Sequence, residues 1–213
     1  MPCASQLKIQ SNHDWETLVL ESSEVTPFSH VRYVFLDRDG VINQKAPEGQ
    51  YVSRWVDFQL LDGAESAISR LNHSAYKVIV VTNQRGVALG RYTEQDILKL
   101  HEQLAKHLIQ FDAHIDAIYY CPHDKSECEC RKPGPALFHQ AFRDFPDASP
   151  ANSVMIGDSI SDIEAGSRLG MPTIFIRGER EHQKSGAEQA AFLATVVASS
   201  LTEAVDRYLH APN

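Results

Sequence analysis

The sequence predicts an α/β fold in which a doubly wound, mainly parallel sheet is flanked by helices. Short apolar segments rich in β-branched residues recur along the chain, amphipathic segments separate them, and several apolar segments end in Asp, Thr or Gly. Alternation of strands and helices is typical of a parallel sheet covered on both faces. The carboxyl ends of such strands share one edge of the sheet, where ligands bind.

Six strands are expected, at residues 31–36, 77–82, 115–120, 153–157, 172–176 and 194–198. The first helix has an apolar stripe with helical spacing, formed by Ala64, Ala67, Ile68 and Leu71. The second helix has a similar stripe, formed by Ile97, Leu100, Leu104 and Leu108. Thr93 with Asp96 and Ser200 with Glu203 predict capping boxes at two helix starts. No long insertion interrupts the alternation, so a large cap domain is not expected.

The composition is that of a single globular domain. The chain has 213 residues, 43% hydrophobic and 23% charged, and we expect one domain at 31–213 after an N-terminal extension at 1–30. The extension shows no basic segment followed by an apolar one, so we expect a cytoplasmic protein with no membrane contact. A net charge of -8 argues against a nucleic-acid partner. We expect a monomer.

Asp37 and Asp39 carry the strongest chemical signal. They follow the apolar run Val31–Leu36 and precede Gly40, which allows a sharp turn. A carboxylate facing phosphorus can form an aspartyl-phosphate, and a neighbouring carboxylic acid can protonate the leaving oxygen. An Asp-rich turn explains this pattern equally well when it is taken alone.

Polar and basic residues after other strands and loops favour phosphate chemistry. A Thr hydroxyl and loop amides follow the second strand, and a cationic pair stands before Pro133; such groups bind phosphoryl oxygens and neutralise their charge. The predicted substrate contacts are Thr82, Asn83, Gln84, Arg85, Arg131 and Lys132. The basic residues expected to concentrate positive charge also include Arg91, Arg177 and Arg180.

A magnesium site is predicted at the same edge. The fourth strand ends in Gly157 and Asp158. Asp158 would bind Mg²⁺ together with the side chain of Asp37 and a backbone carbonyl at Asp39, because Mg²⁺ prefers oxygen ligands and keeps several waters.

Three of the four cysteines lie within ten residues and accompany a histidine. The set Cys121, His123, Cys128 and Cys130 predicts a structural Cys₃His zinc site. A disulfide is the alternative, but one bridge would leave a thiol and the histidine unexplained. A zinc ion here would order the loop that delivers Arg131 and Lys132.

These motifs resemble those of the haloacid dehalogenase-like phosphohydrolases, in which Asp37-x-Asp39, Thr82, Lys132 and Asp158 with Asp162 would be the four motifs. The resemblance implies a nucleophile (Asp37), an acid/base (Asp39), a phosphate ligand (Thr82), a charge-neutralising lysine (Lys132) and magnesium ligands. It also implies a Rossmann-like fold, which is cap-free here because no long insertion is present, and Mg²⁺ as a cofactor. The cysteine-rich loop adds Zn²⁺ as a second cofactor, and a small phosphorylated sugar suits the open site as substrate.

A finer resemblance is to the family of heptose-bisphosphate and histidinol phosphatases. The stretch TNQRGVALGRYTE favours heptose bisphosphate, whereas the short interval from His123 to Cys128 is close to the histidinol type. A long loop at 44–50 and Ser159 depart from the heptose pattern. Many heptose enzymes have a Lys in place of Ser159, so one phosphate contact is either missing here or supplied by Lys45 or Arg85. A homologue that binds a phosphosugar without hydrolysing it and a zinc-organised interaction module remain alternatives.

Overall fold

All six strands of the sheet run parallel. The computed structural model describes residues 28–47, 49–178 and 185–209. The strands are β1 (Tyr33–Leu36), β2 (Lys77–Asn83), β3 (Ala117–Cys121), β4 (Ser153–Gly157), β5 (Thr173–Ile176) and β6 (Val196–Ala198). Their order in the sheet is β3-β2-β1-β4-β5-β6. The predicted fold class and number of strands are confirmed.

The predicted bounds of β4 are confirmed, and the bounds of the other strands differ from the predicted ones by at most two residues. The last strand was predicted to begin at residue 194, but the Ala194 amide donates to the Ala190 carbonyl at 2.9 Å and so still closes the preceding helix. The first was predicted from residue 31, and backbone pairing does extend to Arg32, which bonds Asn152 and Lys77 at 2.8 Å each. Hydrophobicity alone does not reveal where a ladder of hydrogen bonds starts.

In the described part of the chain, six α-helices cover the sheet: α1 (Ala64–His73), α2 (Glu94–Ile109), α3 (Ala136–Asp144), α4 (Ile160–Leu169), α5 (Ala187–Leu193) and α6 (Leu201–Tyr208). The predicted apolar stripes of α1 and α2 are buried throughout, and the Thr93 capping box is present. Only one of the two hydrogen bonds predicted for the Ser200 capping box is present. Ser200 accepts from the Glu203 amide, but the Glu203 carboxylate accepts from the amide of Ser199.

Alternating side chains of each strand enter cores on opposite faces of the sheet. On β1, Val34 and Leu36 join the core that contains α1, α2 and α6. Tyr33 and Phe35 join the core of α3 and α4, and Phe175 of β5 packs with α4 and α5. Both faces of the sheet are therefore covered by helices, as a doubly wound fold requires.

The chain reverses its direction across the sheet between β1 and β4. From β1 it proceeds outward through β2 and β3, and then returns to build β4, β5 and β6 on the other side. Loops after β1 and β4 consequently diverge and leave a crevice at the carboxyl ends of these two strands, which is the usual ligand site of open α/β sheets.

The connection from β1 to α1, at 37–63, contains one short 3-10 helix, Trp55–Asp57. In its described residues it adds no domain over the crevice, in agreement with the predicted absence of a large cap. Within the described ranges, no helix combines the length and apolar character needed to cross a bilayer. Most of the predicted N-terminal extension, residues 1–27, lies outside the described residues, as does Arg180.

Candidate active site

Three carboxylates meet in the crevice between β1 and β4. Asp37 directly follows β1, Asp158 directly follows β4, and Asp162 lies in the first turn of α4. An oxygen atom from each lies within 4.8 Å of the others, and all three residues are buried or nearly so. The sequence brought Asp37 and Asp158 forward as magnesium ligands, and the structure places them together with Asp162.

Asp162 reaches this cluster because of how α4 begins. It occupies the third position of a capping box in which its Oδ2 accepts from the Ser159 amide at 3.0 Å and from the Ser159 hydroxyl at 2.6 Å. A Cβ on Gly157 would lie 2.2 Å from the Cβ of Asp162, so only glycine lets the helix approach the strand end this closely. Ser159, which departs from the expected pattern, thus serves as the N-cap that orients Asp162.

Lys132 joins two of these carboxylates. Its Nζ lies 3.0 Å from Asp37 Oδ1 and 2.7 Å from Asp162 Oδ1, and it donates to the Val81 carbonyl at 2.6 Å. Burial by itself would lower the pKa of this ammonium, but the carboxylates of Asp162 and Asp37 outweigh burial and raise the pKa above its usual value. The lysine therefore stays charged at neutral pH beside the predicted nucleophile.

The backbone of Lys132 is fixed by Asn83 at the end of β2. The Lys132 amide donates to Asn83 Oδ1 at 2.9 Å, and Asn83 Nδ2 donates to the Lys132 carbonyl at 3.2 Å. This two-way contact connects the loop after β3 to the β2 strand end. Asn83, predicted to contact substrate, thus holds the lysine loop in place.

Lys45 brings a second ammonium group to the cluster, where it forms an ion pair with Asp158. Both side chains are largely buried, and the approach depends on Gly40, where a Cβ would overlap the Asp158 carboxylate and the Lys45 side chain. Gly40 also has a φ of 96°, a conformation that favours glycine. The long loop at 44–50 thus contributes a cation to the crevice.

Asp39 faces a different set of partners. Its carboxylate accepts from Arg38 at 2.9 Å, from Asn43 Nδ2 at 2.9 Å and from Gln84 Nε2 at 3.0 Å. Gln84 also donates to the Thr82 hydroxyl at 3.0 Å. Gln84 is buried, with both its N–H groups used inside the protein, and the predicted substrate contact at Gln84 stays a prediction.

Two arginines predicted to bind substrate lie near the cysteine-rich loop. Arg85 is about one-third exposed and pairs with Asp124, and this contact lowers the pKa of Asp124 to about 2. Arg131 is half-buried, and within the described residues its Nη1 has no hydrogen-bond partner. Arg131 therefore retains an unused donor next to Lys132.

The predicted zinc ligands converge. Sulfur atoms of Cys121, Cys128 and Cys130 lie 3.0–3.5 Å apart, and His123 Nδ1 lies 3.2 Å from Cys130 Sγ. The three cysteines are free thiols, so the disulfide alternative is not realised. These four side chains could hold one metal ion. Cys130 is followed directly by Arg131 and Lys132, and the cluster thus borders the active-site lysine.

A cavity of about 410 Å³ adjoins the crevice on the β5–β6 side. Residues from the loop after β1, from Asp158 and from the ends of β5 and β6 line it, among them Gly40, Gln44, Lys45, Arg177 and Ser199. A molecule that binds at the carboxylates could extend into this cavity.

Sequence reasoning missed several contributors. The resemblance placed Asp162 in the magnesium motif with Asp158, but the ligand set argued from the residues was Asp37, Asp158 and the backbone of Asp39. The capping box that brings Asp162 to the cluster was not predicted. Arg38 and Asn43 were not singled out. Their signal was their position on either side of Asp39, but nothing in the sequence predicts that both would turn back toward its carboxylate.

Comparison with known proteins identifies the family of the chain. Residues 129–204 match the family described as HAD-hydrolase-like. The chain is 40% identical to D-glycero-beta-D-manno-heptose-1,7-bisphosphate 7-phosphatase of Vibrio cholerae, over 83% of this chain and 95% of the relative. It is 42% identical to D-glycero-alpha-D-manno-heptose-1,7-bisphosphate 7-phosphatase of Mycobacterium bovis, over 63% of this chain and 71% of the relative.

A solved structure is similar over the same region. D,D-heptose 1,7-bisphosphate phosphatase from B. bronchiseptica, crystallised with magnesium and phosphate, superposes with a TM-score of 0.73 at 26% identity, covering 84% of this chain and 98% of that one. The sequence relationship spans almost the full length of the Vibrio cholerae enzyme, and the carboxylates and lysine lie where the fold predicts a site. The chain therefore belongs to the haloacid dehalogenase-like hydrolases, in the family of D-glycero-D-manno-heptose-1,7-bisphosphate 7-phosphatases.

Proposed function

We propose that this protein removes the 7-phosphate of D-glycero-D-manno-heptose 1,7-bisphosphate, leaving the heptose 1-phosphate. The observation that carries the proposal is the buried Asp37 carboxylate, held at 3.0 Å by Lys132 at the point where the sheet reverses its order. The two relatives are named for opposite anomers, so the preferred anomer is a question for experiment.

In the proposed reaction, an Asp37 oxygen attacks phosphorus and the bond from phosphorus to the sugar oxygen breaks. Lys132 offsets the negative charge that gathers on the nucleophile and the transferring group, because its ammonium is fixed in a site that excludes water. The product of this step is an aspartyl-phosphate and the free sugar alcohol.

Asp39 handles the proton in both steps. In its acid form it protonates the departing sugar oxygen; as a carboxylate it then takes a proton from the water that attacks the aspartyl-phosphate. Phosphate leaves, and both aspartates return to their starting forms. Positioning and electrostatic stabilisation provide most of the acceleration in phosphoryl transfer.

The carboxylate cluster suits a magnesium ion. Asp158 Oδ1 is buried and without a hydrogen-bond partner among the described residues, and oxygen donors are those that Mg²⁺ prefers. Asp37, Asp158 and the backbone carbonyl of Asp39 would hold it, with Asp162 beside them. Such an ion neutralises charge on phosphoryl oxygens.

The Cys₃His cluster suits zinc in a structural role. Three thiolates and one imidazole are a donor set typical of closed, four-coordinate zinc sites. Bound zinc would order the loop that carries Arg131 and Lys132, so its contribution to catalysis would be through the position of those two side chains.

The test is Mg²⁺-dependent phosphate release from both anomers of the heptose bisphosphate, with histidinol phosphate measured in parallel. A preference of about two orders of magnitude in kcat/KM for one heptose anomer, about 3 kcal/mol, is the expected result. Asp37→Asn should be inactive but folded, and Asp147→Asn, on the exposed loop after α3, is the matched control. Preference for histidinol phosphate would refute the assignment. We also expect a monomer, which light scattering would test.

A further inference from the structure

We propose that Tyr92 and His101 are positioning residues that orient the carboxylate of Asp39, Tyr92 through Gln84 and His101 through Arg38. The inference rests on the proposed phosphatase function. Asp39 transfers the proton, and these residues hold its carboxylate in the orientation that the transfer needs. The pair Tyr92 and Gln84 connects Asp39 to the loop just before helix α2. The pair His101 and Arg38 connects Asp39 to α2 itself.

The first pair acts through an amide. The Tyr92 hydroxyl donates to Gln84 Oε1 at 2.8 Å, and Gln84 Nε2 donates to Asp39 Oδ2 at 3.0 Å. Because Tyr92 occupies the amide oxygen, the amide presents its N–H groups to Asp39. Burial raises the pKa of Tyr92 to about 12, so the phenol remains a donor across the working pH range.

The position of the Tyr92 ring is set by Gly86. A Cβ at Gly86 would lie 2.1 Å from the Tyr92 ring, so glycine there is what allows the ring to pack over the loop. The Arg91 amide also donates to the Gly86 carbonyl at 2.8 Å, which closes the loop around the phenol. The hydroxyl is thereby aimed at Gln84 by packing as well as by its hydrogen bond.

The second pair acts through a buried guanidinium. Arg38 is fully buried; its Nη2 contacts both oxygens of Asp39 at 2.9 Å, and its Nη1 lies 3.3 Å from His101 Nε2. An arginine can only donate, so His101 Nε2 must accept and the ring must be neutral. Burial, aided by the charge of Arg38, lowers the pKa of His101 to about 3, so the imidazole meets that requirement.

Further contacts keep this guanidinium in one orientation. Arg38 Nη2 donates to the Val52 carbonyl at 3.2 Å, and the guanidinium lies 5.7 Å from the centre of the Phe58 ring. A buried arginine without all its partners would be costly. The arginine therefore has one favourable placement, and Asp39 is held from two sides by groups that do not rely on substrate.

The experiment compares two substrates that differ in their need for an acid. The departing sugar oxygen of heptose bisphosphate requires a proton, whereas the nitrophenolate of 4-nitrophenyl phosphate leaves without one. Tyr92→Phe and His101→Leu should lower kcat/KM for the sugar about tenfold, a part of the effect of a full acid catalyst, with little change for the aryl ester. His101→Gln retains a hydrogen-bond acceptor for Arg38, so its kcat/KM for the sugar should be close to that of wild type.

Matched controls separate positioning from general damage. Tyr119→Phe removes a hydroxyl bonded to Asp144 on the opposite face of the sheet, and His107→Leu removes an imidazole from the same helix; the ratio of the two kcat/KM values should not change in either. A destabilised variant loses both activities equally, and an unchanged ratio in Tyr92→Phe and His101→Leu overturns the inference.

A double-mutant cycle gives a second criterion that uses the sugar substrate alone. If Tyr92 acts through Asp39, then Tyr92→Phe added to Asp39→Asn should cause little further loss, whereas additive losses overturn the inference. Wild-type protein that releases no phosphate from the heptose bisphosphate would instead refute the proposed function, so the two failures are distinguishable.

Discussion

Replacing Lys132 by methionine tests whether the buried ammonium is needed for stability as well as for chemistry. Methionine keeps most of the length of the side chain but removes its charge. The variant leaves Asp37 and Asp162 without the cation that lies 3.0 and 2.7 Å from them, and leaves the Val81 carbonyl without its donor.

The expected loss is large because the side chain is 1% exposed. Breaking a buried ion pair by removal of one partner costs about 3–5 kcal/mol, since the remaining charge is left buried and unpaired. For a chain of this size, about 2–4 °C of melting temperature is lost per kcal/mol, so Tm should fall by roughly 6–20 °C.

The measurements are urea and thermal unfolding followed by circular dichroism, for wild type, Lys132→Met and a control, Lys77→Met. Lys77 also pairs with a carboxylate, Asp116 at 2.8 Å, but its side chain is 52% exposed, and pairs of this kind contribute about 1 kcal/mol or less. A Lys132→Met loss no larger than that of the control would refute the reasoning about burial.

The pH dependence provides a further check of the same charge. The pKa of Lys132 is raised in the folded protein, so its stabilising contribution is fully present below the unfolded value of about 10.4. It is lost as pH rises through the folded pKa. The difference in unfolding free energy between wild type and Lys132→Met should therefore be constant from pH 7 to about 10 and shrink above it.

Three other outcomes follow from the site. Asp37→Asn should abolish phosphate release while preserving the circular dichroism spectrum; substantial residual turnover contradicts its role as nucleophile. A chelator that removes metal from the Cys₃His cluster should lower turnover and Tm together, because the cluster adjoins Arg131 and Lys132; full turnover in a sample shown to be metal-free at this site contradicts the coupling. Arg85→Ala should raise KM more for a bisphosphate than for a monophosphate, and Lys125→Ala, at an exposed position, is the control. Equal changes in the two KM values would rule out a contact between Arg85 and the second phosphate.

The fold could be predicted from sequence because its signals are local and repeated. β-Branched runs, helical stripes such as Ile97 to Leu108, and the Thr93 cap each specify their element within a few residues. The wrong strand boundaries lie where hydrogen bonds to a neighbouring segment determine the secondary structure. Ala194 belongs to the end of α5 because its amide has a helical partner, which is a matter of hydrogen bonding and not of hydrophobicity.

The candidate site was predictable to the extent that parallel strand ends must meet. That geometry places Asp37 and Asp158 at one edge of the sheet, and the pairing of β1 with β4, which the sequence did not predict, makes them neighbours. It does not predict Lys45, whose place beside Asp158 depends on the course of a long loop, or Gln84, whose side chain turned inward to Asp39. The position of a side chain in a loop depends on tertiary contacts, which the spacing of residues in the sequence does not predict.

The charges of the crevice indicate that an anionic substrate needs a bound cation. Among the described residues, Asp37, Asp158 and Asp162 pair with two ammonium groups, those of Lys132 and Lys45, which leaves one negative charge before any phosphate enters. An entering phosphate monoester would add further negative charge in a buried space, where repulsion is poorly screened. A divalent cation at the carboxylates reverses this balance, so dependence on added Mg²⁺ should be seen in substrate affinity as well as in turnover. Equal affinity with and without Mg²⁺ for a non-hydrolysable phosphonate analogue, measured by direct binding to the wild-type protein, would contradict this electrostatic account.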